Sequence, residues 1–269
     1  MTLTLKLNTE PSVPLEAAAI TPARLTGLDA SKVAALPVLH GNEELTVGDF
    51  FAVQGKSDSE FRLEGDLHRV KHIGTGMAHG RLMIEGSVGA HLATGMSGGE
   101  IVVAGDVGDW LAPEMSGGRV IVKGDAGHMV GSAHRGSRIG ILGGEIIVFG
   151  NVGNETGNTM RRGFIAVGGN AGDFAGVSMI AGSVIVLGEL GIRTGAGMKR
   201  GTIVSMHDAK LLPTFRYACT YQPVFLGHYL DYLSGIGLPV SESQKTGRYR
   251  RWSGDSIKLN LGEVLLFDK

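Results

Sequence analysis

Three histidines, His68, His72 and His79, lie close together in the chain and invite a metal-centre reading. Their spacing fits no common zinc pattern and no cysteine joins them, so a packed or solvated role outweighs ligation. A second group, His128, His134, Arg135 and Arg138, falls on or near an irregular stretch expected to be a loop, where function commonly sits. There, Ser132-Ala-His134 sets a hydroxyl near an imidazole, but no acidic third partner completes a nucleophile triad. Gly195-Ala-Gly197-Met-Lys-Arg-Gly201 imitates a dinucleotide loop, yet no Rossmann strand and helix surround it. The single cysteine, Cys219, reads as a small core residue rather than a nucleophile. One group keeps a chemical meaning. Arg161, Arg162, Lys199 and Arg200 collect at equivalent places in the chain and would form either a solvated edge or a positive strip for an acidic partner or carrier. No catalytic residue and no metal ligand is assigned from the sequence.

The elements that must position these residues form a repeat. Copies of Gly-x-(Leu/Ile/Val)-x-(Ile/Val)-x-Gly-(Asp/Asn)-(Val/Ala)-Gly, with small variations, open at Gly80, Gly99, Gly118, Gly144, Gly163, Gly182 and Gly201. The period is nineteen residues, broken once by a step of twenty-six. A fixed period of this size denotes stacked units. Pairs such as Ile101/Val103 and Val120/Val122 are two apart, so both side chains share one face of a strand. The following Gly-Asx-x-Gly is expected to turn through left-handed backbone. Met77, Met96, Met115, Met160, Met179 and Met198 recur three residues before a new copy and predict an internal methionine row. Glycine at this density costs a helix about 1 kcal/mol each, so no helix is expected here. The predicted fold is all-β: a single-stranded, right-handed parallel β-helix of about seven to eight rungs, with non-repetitive caps. The extra residues of the long copy are expected to bulge near Ser132 to Arg138.

The outward strand positions break the usual alternation. Met83, Val102, Ile121, Ile147, Ala166, Ile185 and Val204 are apolar, and Phe149, Phe164, Leu187 and Met206 widen the stripe. A strand apolar on both faces is covered on both. Either the chain's own head or tail covers it, or partner proteins do, and the two can divide the rungs between them.

Three segments follow: residues 1–58 as an N-terminal cap, 59–206 as the glycine-rich β-helix, and 207–269 as a C-terminal cap. In the head, Leu3, Leu5 and Leu7 alternate as a strand, Asp29 to Leu36 has helical spacing, and Leu45 to Val53 reads as strand or turn-and-strand. Ser59 to Gly65 imitates a first, irregular rung. In the tail, Tyr221 to Leu233 has helical spacing with Gly235 and Gly237 as a stop, and Ile257 to Phe267 suggests a hairpin. Among 269 residues the 44 glycines are periodic, so disorder does not follow from them. A net charge of −1 argues against nucleic acid. A lone cysteine, no basic-then-apolar leader and no membrane-length apolar run make a cytoplasmic protein the expectation.

The repeat resembles the glycine-rich C-terminal domain of the glutamate synthase large subunit. With its flanks, Leu45-Thr-Val-Gly-Asp-Phe-Phe51 and Tyr249-Arg-Arg-Trp-Ser-Gly-Asp255, the chain more closely resembles the C subunit of formylmethanofuran dehydrogenase. Within that family it is most similar to the C subunit of the bacterial formyltransferase/hydrolase complex. The resemblance implies a non-catalytic scaffold in one-carbon metabolism. Its implied partners are an amidohydrolase-like subunit, a formyltransferase subunit and a third, molybdopterin-subunit-related one. The complex would use a methanofuran-like carrier and tetrahydromethanopterin, with no cofactor held by this chain. The carrier's glutamate units give the Arg161, Arg162, Lys199 and Arg200 strip a candidate ligand. Two alternatives stay open: the C subunit of a molybdenum or tungsten formylmethanofuran dehydrogenase, and a structural spacer of the glutamate synthase type. An enzyme with its site along the coil groove fits poorly, because the strand faces are apolar.

Overall fold

The computed structural model describes residues 2–268. It is all-β, 11% helical, and among the described residues its long sheet has thirteen strands. Strands Arg81–Ile84, Glu100–Val103, Arg119–Val122, Glu145–Val148, Phe164–Val167, Ser183–Val186 and Arg200–Ser205 lie side by side, in parallel and in chain order. Leu82 pairs with Ile101, Ile101 with Val120, and Val120 with Ile146 across the long copy. Each strand therefore sets its side chains against the same positions of the next.

Two rows of apolar side chains result. One runs Phe61, Leu82, Ile101, Val120, Ile146, Ile165, Val184 and Ile203, each fully buried. The other runs Leu63, Ile84, Val103, Val122, Val148, Val167 and Val186, and ends at Ser205, whose hydroxyl donates to the Gly188 carbonyl at 3.2 Å. Each buried side chain of this size contributes about 1.5–3 kcal/mol. The six methionines form a third row, all fully buried. The copy opening at Gly144 has no methionine in that place; Ile141, also fully buried, fills it. The methionine tips explain the opening glycines Gly99, Gly118, Gly144, Gly182 and Gly201. At Gly118, φ is +89° and a Cβ would lie 2.7 Å from Met96 Cε.

The turns differ from the expectation. Gly105, Gly124, Gly150, Gly169 and Gly188 are not left-handed. They are glycine because the rung below leaves no room: a Cβ on Gly124 would lie 2.8 Å from the Gly105 carbonyl oxygen. The Asx side chains instead bond upward. Asp106 accepts from Asp125 N at 2.8 Å, Asn151 from Asn170 N at 2.9 Å, and Asn170 from Glu189 N at 2.8 Å. A second series adds Asp109 to His128 N, Asn154 to Asp173 N and Asp173 to Ile192 N, at 2.7–2.9 Å. Left-handed backbone occurs farther along each rung, at His72, His91, Trp110, Met129, Glu155, Phe174 and Arg193, with φ from +54° to +64°. Such a residue costs about 1–2 kcal/mol. It also aims its N–H at the next rung, as in His91 N to the Asp109 carbonyl at 2.9 Å.

Antiparallel pairing closes both ends. Strand Leu3–Leu7 extends the parallel row beside Glu60–Glu64, and Phe51–Gln54 pairs antiparallel outside it. At the other end Leu261–Asp268 lies parallel to Arg200–Ser205, followed by Arg248–Gly254 and Arg216–Tyr221, both antiparallel. The C-terminal hairpin thus begins at Arg248. Ile257, Leu259 and Leu261, expected as part of the hairpin's alternation, are exposed at and beside its tip. In the head, Asp29 caps helix Ala30–Ala34, and Val47–Phe50 is a helical turn held by a Thr46/Asp49 capping box and followed by strand Phe51–Gln54, the turn-and-strand of the two readings. A small sheet of Leu15–Glu16, Pro37–His40, Glu43–Thr46 and Val70–Lys71 sits beside the first rungs. No described helix is long and apolar enough to cross a membrane.

Replacing Gly118 with Ala combines backbone strain with a clash against Met96. The expected loss is about 2–5 kcal/mol in chemical denaturation. The exposed Ser178, at φ +55°, tests the opposite case. Ser178→Gly is expected to gain roughly 0.5–1 kcal/mol.

Candidate functional site

The apolar stripe is the largest feature that the sequence singled out. Over most of its length the chain covers it itself. Helix Val224–Gly235 lays Leu226, Leu230 and Leu233 against Ile147, Phe164, Ala166, Ile185, Leu187, Val204 and Met206. Those seven stripe residues are at most 7% exposed. This corrects the expectation that Ile147, Phe164, Ile185, Leu187, Val204 and Met206 meet partner proteins: the helix already excludes water from them. Phe149 is half-buried at the helix margin, with Lys123 Nζ 3.5 Å from its ring centre. Met83 and Val102 are half-buried on rungs before the helix-covered ones, and Ile121, also half-buried, packs against the edge of the covered cluster.

Charge pins the covering segment. Beside the stripe, Arg81, Glu100, Arg119 and Glu145 alternate in sign up the strands, with contacts of 3.0, 3.7 and 2.9 Å. Tyr232, near the helix C-terminus, donates its hydroxyl to Glu145 at 2.7 Å. Burial, then the Glu145 hydrogen bond and charge, push the Tyr232 phenol up to about 12. Tyr249 is buried beneath the next segment and donates to the Gln244 carbonyl at 2.7 Å; burial raises its pKa as well.

Arg161, Arg162, Lys199 and Arg200 do come together. With Ile180, Ala181 and Leu259 they line an open pocket of about 240 Å³. Ile180 and Ala181 lie on the intervening rung and separate the two basic pairs. All four cations are exposed, and none forms an ion pair among the described residues. The exposed Leu259 borders them from the hairpin tip. Asp255 holds that tip: fully buried, it accepts from Gly197 N at 2.9 Å and Ile257 N at 3.1 Å. The arrangement can bind an anion that carries an apolar part.

The histidines separate. His68 pairs with Asp66 at 3.0 Å, His79 lies 3.5 Å from the Thr26 hydroxyl, and His72 joins a ring stack. Among the described residues no group of three or more His, Cys, Asp or Glu side chains could hold a metal ion. His128 Nδ1 accepts from Asn154 N at 2.9 Å, standing in for an Asx oxygen in the second series. The inserted loop lies where expected, with Arg135 to Arg138 exposed. Cys219 is exposed, contrary to the expectation of a core residue: its edge strand Arg216–Tyr221 pairs on one side only. Sequence reasoning also missed the left-handed column from His72 to Arg193. Its signal was present as a bulky residue recurring at the repeat period.

No protein-family profile matches the chain. A 79-residue segment, 29% of the chain, is 42% identical to the C subunit of molybdenum-containing formylmethanofuran dehydrogenase 1 from Methanothermobacter marburgensis and covers 20% of that protein. An 84-residue alignment gives 37% identity to the C subunit of tungsten-containing formylmethanofuran dehydrogenase 2 from Methanothermobacter thermautotrophicus, over 29% of this chain and 31% of that protein. The matched segment thus spans less than a third of these curated relatives. A solved structure matches throughout. It is a chain in the crystal structure of the formyltransferase/hydrolase complex from Methylorubrum extorquens in complex with methylofuran. The TM-score is 0.92 at 34% identity, covering 99% of this chain and 100% of that one.

The helix cover makes a direct expectation. Leu230 is fully buried against the stripe. Leu230→Ala should cost about 2–5 kcal/mol in denaturant unfolding. A surface change at Val224, which is 74% exposed, should leave stability within about 0.5 kcal/mol.

Proposed function

The chain belongs to the formylmethanofuran dehydrogenase C-subunit family, and we propose that it is the non-catalytic scaffold subunit of a formyltransferase/hydrolase complex. The full-length likeness to a chain of the Methylorubrum complex carries this reading. The proposed complex transfers a formyl group between tetrahydromethanopterin and a methanofuran-like carrier and releases formate in the cytoplasm. Its other members in this reading are an amidohydrolase-like subunit, a formyltransferase subunit and a molybdopterin-subunit-related subunit. The scaffold is read as a right-handed, single-stranded parallel β-helix of about seven to eight rungs.

Packing supports the scaffold role. The strand faces that would line a substrate groove are filled with apolar side chains, and over the later rungs they lie under the chain's own helix. Met83 and Val102, on the rungs before that helix, are the proposed docking surface for another member of the complex, with Ile121 at the border where the helix cover begins. The basic pocket is the proposed contact for the acidic part of the carrier, since unpaired cations attract carboxylates without holding them rigidly. The molybdenum and tungsten relatives favour a second reading, a formylmethanofuran dehydrogenase assembly. Metal analysis of the assembly purified through this chain separates the two.

Purified alone, the chain should show no formyl hydrolysis, and tagged in its native host it should bring the other members of the complex with it. Hydrolysis by the isolated chain would overturn the scaffold reading. Arg161→Glu combined with Arg162→Glu should raise the KM of the assembled complex for the carrier roughly three- to tenfold with kcat unchanged. An unchanged KM removes the carrier contact and leaves the scaffold role standing.

A further inference from the structure

His91 lies at the centre of a ring stack. His72, one rung earlier, is 4.7 Å away at 11°, and Trp110, one rung later, is 5.3 Å away at 10°. The third ring comes from outside the repeat. His134, on the inserted loop, stacks on His91 at 5.7 Å and 23°. Beside that contact, His134 N donates to Glu114 Oε1 at 3.2 Å. Beyond it, Arg135, Gly136, Ser137 and Arg138 are exposed. His134 is therefore the side-chain tie of the exposed part of the loop, whose two ends are held by backbone bonds of Glu114 N to the Ser132 carbonyl and Gly140 N to the Thr159 carbonyl.

The stack suits uncharged rings. The groups facing His91 are His72 and Trp110 on neighbouring rungs, His134 on the loop, and Lys71 and Glu16 on the small sheet. Burial first, then the like charges of His72, His134 and Lys71, bring the His91 pKa down to about 4, with Glu16 opposing. Burial also lowers His72. The Nδ1 atom of His91 is buried without a partner, so a proton placed there meets no acceptor.

We propose that the inserted loop is a proton-released latch, held against the rod through the ring contact of His134 with His91 while His91 and His72 are neutral, and freed when one of those two takes up a proton. A group whose pKa is lowered in the closed form binds more protons once the form opens, so closure strengthens as pH rises. Opening takes away the His134 ring and leaves His72 and Trp110 in place, so it relieves part of the lowering, and the loss of closure falls within the window between the ordinary histidine value of 6.5 and about 4. At neutral pH the latch is shut. The loop is inserted in the rung of Met129, between those of Trp110 and Glu155, and these three residues line an open pocket of about 340 Å³ together with Arg135. Release would carry Arg135 away from that wall and widen the pocket.

Hydrogen exchange of residues 133–139 in the full chain, corrected for the intrinsic rate at each pH, reads the opening equilibrium. Protection should fall by up to roughly tenfold between about pH 7.5 and about pH 5.5. His91→Phe keeps a ring and removes the proton. Phe174 occupies the equivalent left-handed position in a later rung at φ +62°, so this backbone accommodates phenylalanine. In that variant the loop should stay protected and its pH dependence should flatten. His134→Ala should expose the loop at every pH while the neighbouring rungs remain protected. Protection that does not change with pH in the unmodified chain would overturn the latch, as would an unaltered slope in His91→Phe. If His91→Phe fails to fold, the slope in the unmodified chain and the His134→Ala result still decide.

Discussion

Parallel pairing at a constant offset makes each side chain's nearest neighbour the same position one rung away. Everything else in the rod answers to that constraint. Apolar positions become continuous rows, and methionine tips meet the glycines that open later strands. Long charged side chains along the strands cannot repeat in sign, whereas Asp106 and Asp125 can stack because each carboxylate turns to a backbone N–H of the next rung. Arg81, Glu100, Arg119 and Glu145 alternate in sign because two like charges about 4.8 Å apart would repel. The basic pocket obeys the same rule differently. Its two pairs of cations are held apart by the rung that contributes Ile180 and Ala181.

Much of the rod was legible because its rules are local and repeated. Spacing of two marked the buried rows, and the single step of twenty-six marked the loop. The methionine row was readable as well, although Ile141 in the odd copy was not, because isoleucine there carries no periodic signature. The turn chemistry was misread in an instructive way. Glycine next to Asx resembles left-handed backbone in any isolated segment. Here the cause lies one rung below, where a carbonyl fills the space that a Cβ would need. A constraint imposed by a neighbour nineteen residues away leaves no mark on local propensity.

The surface was harder to read, for the same reason. An outward apolar stripe announces that something covers it without saying what. Helix Val224–Gly235 was legible as a helix, but its destination depends on a chain reversal through Arg216–Tyr221 that the pattern does not encode. Cys219 was misplaced for a related reason: strand-like composition does not tell an edge from a centre. The four basic residues were found because periodic stacking turns sequence position into spatial position. In the His91 stack, His72, His91 and Trp110 follow the period and were open to reading, whereas the fourth ring, His134, lies outside it and left no signal.

The two closures have an implication for size. A parallel stack has no intrinsic end, since every rung offers the next a matching face. In this molecule Phe51–Gln54 at one end and Arg216–Tyr221 at the other run against the direction of the column. Neither terminus presents the face that further parallel growth would require. The molecule is therefore a ruler of defined length rather than the seed of a fibre. Evolution can lengthen or shorten it one layer at a time, by whole units placed between two unchanged stoppers.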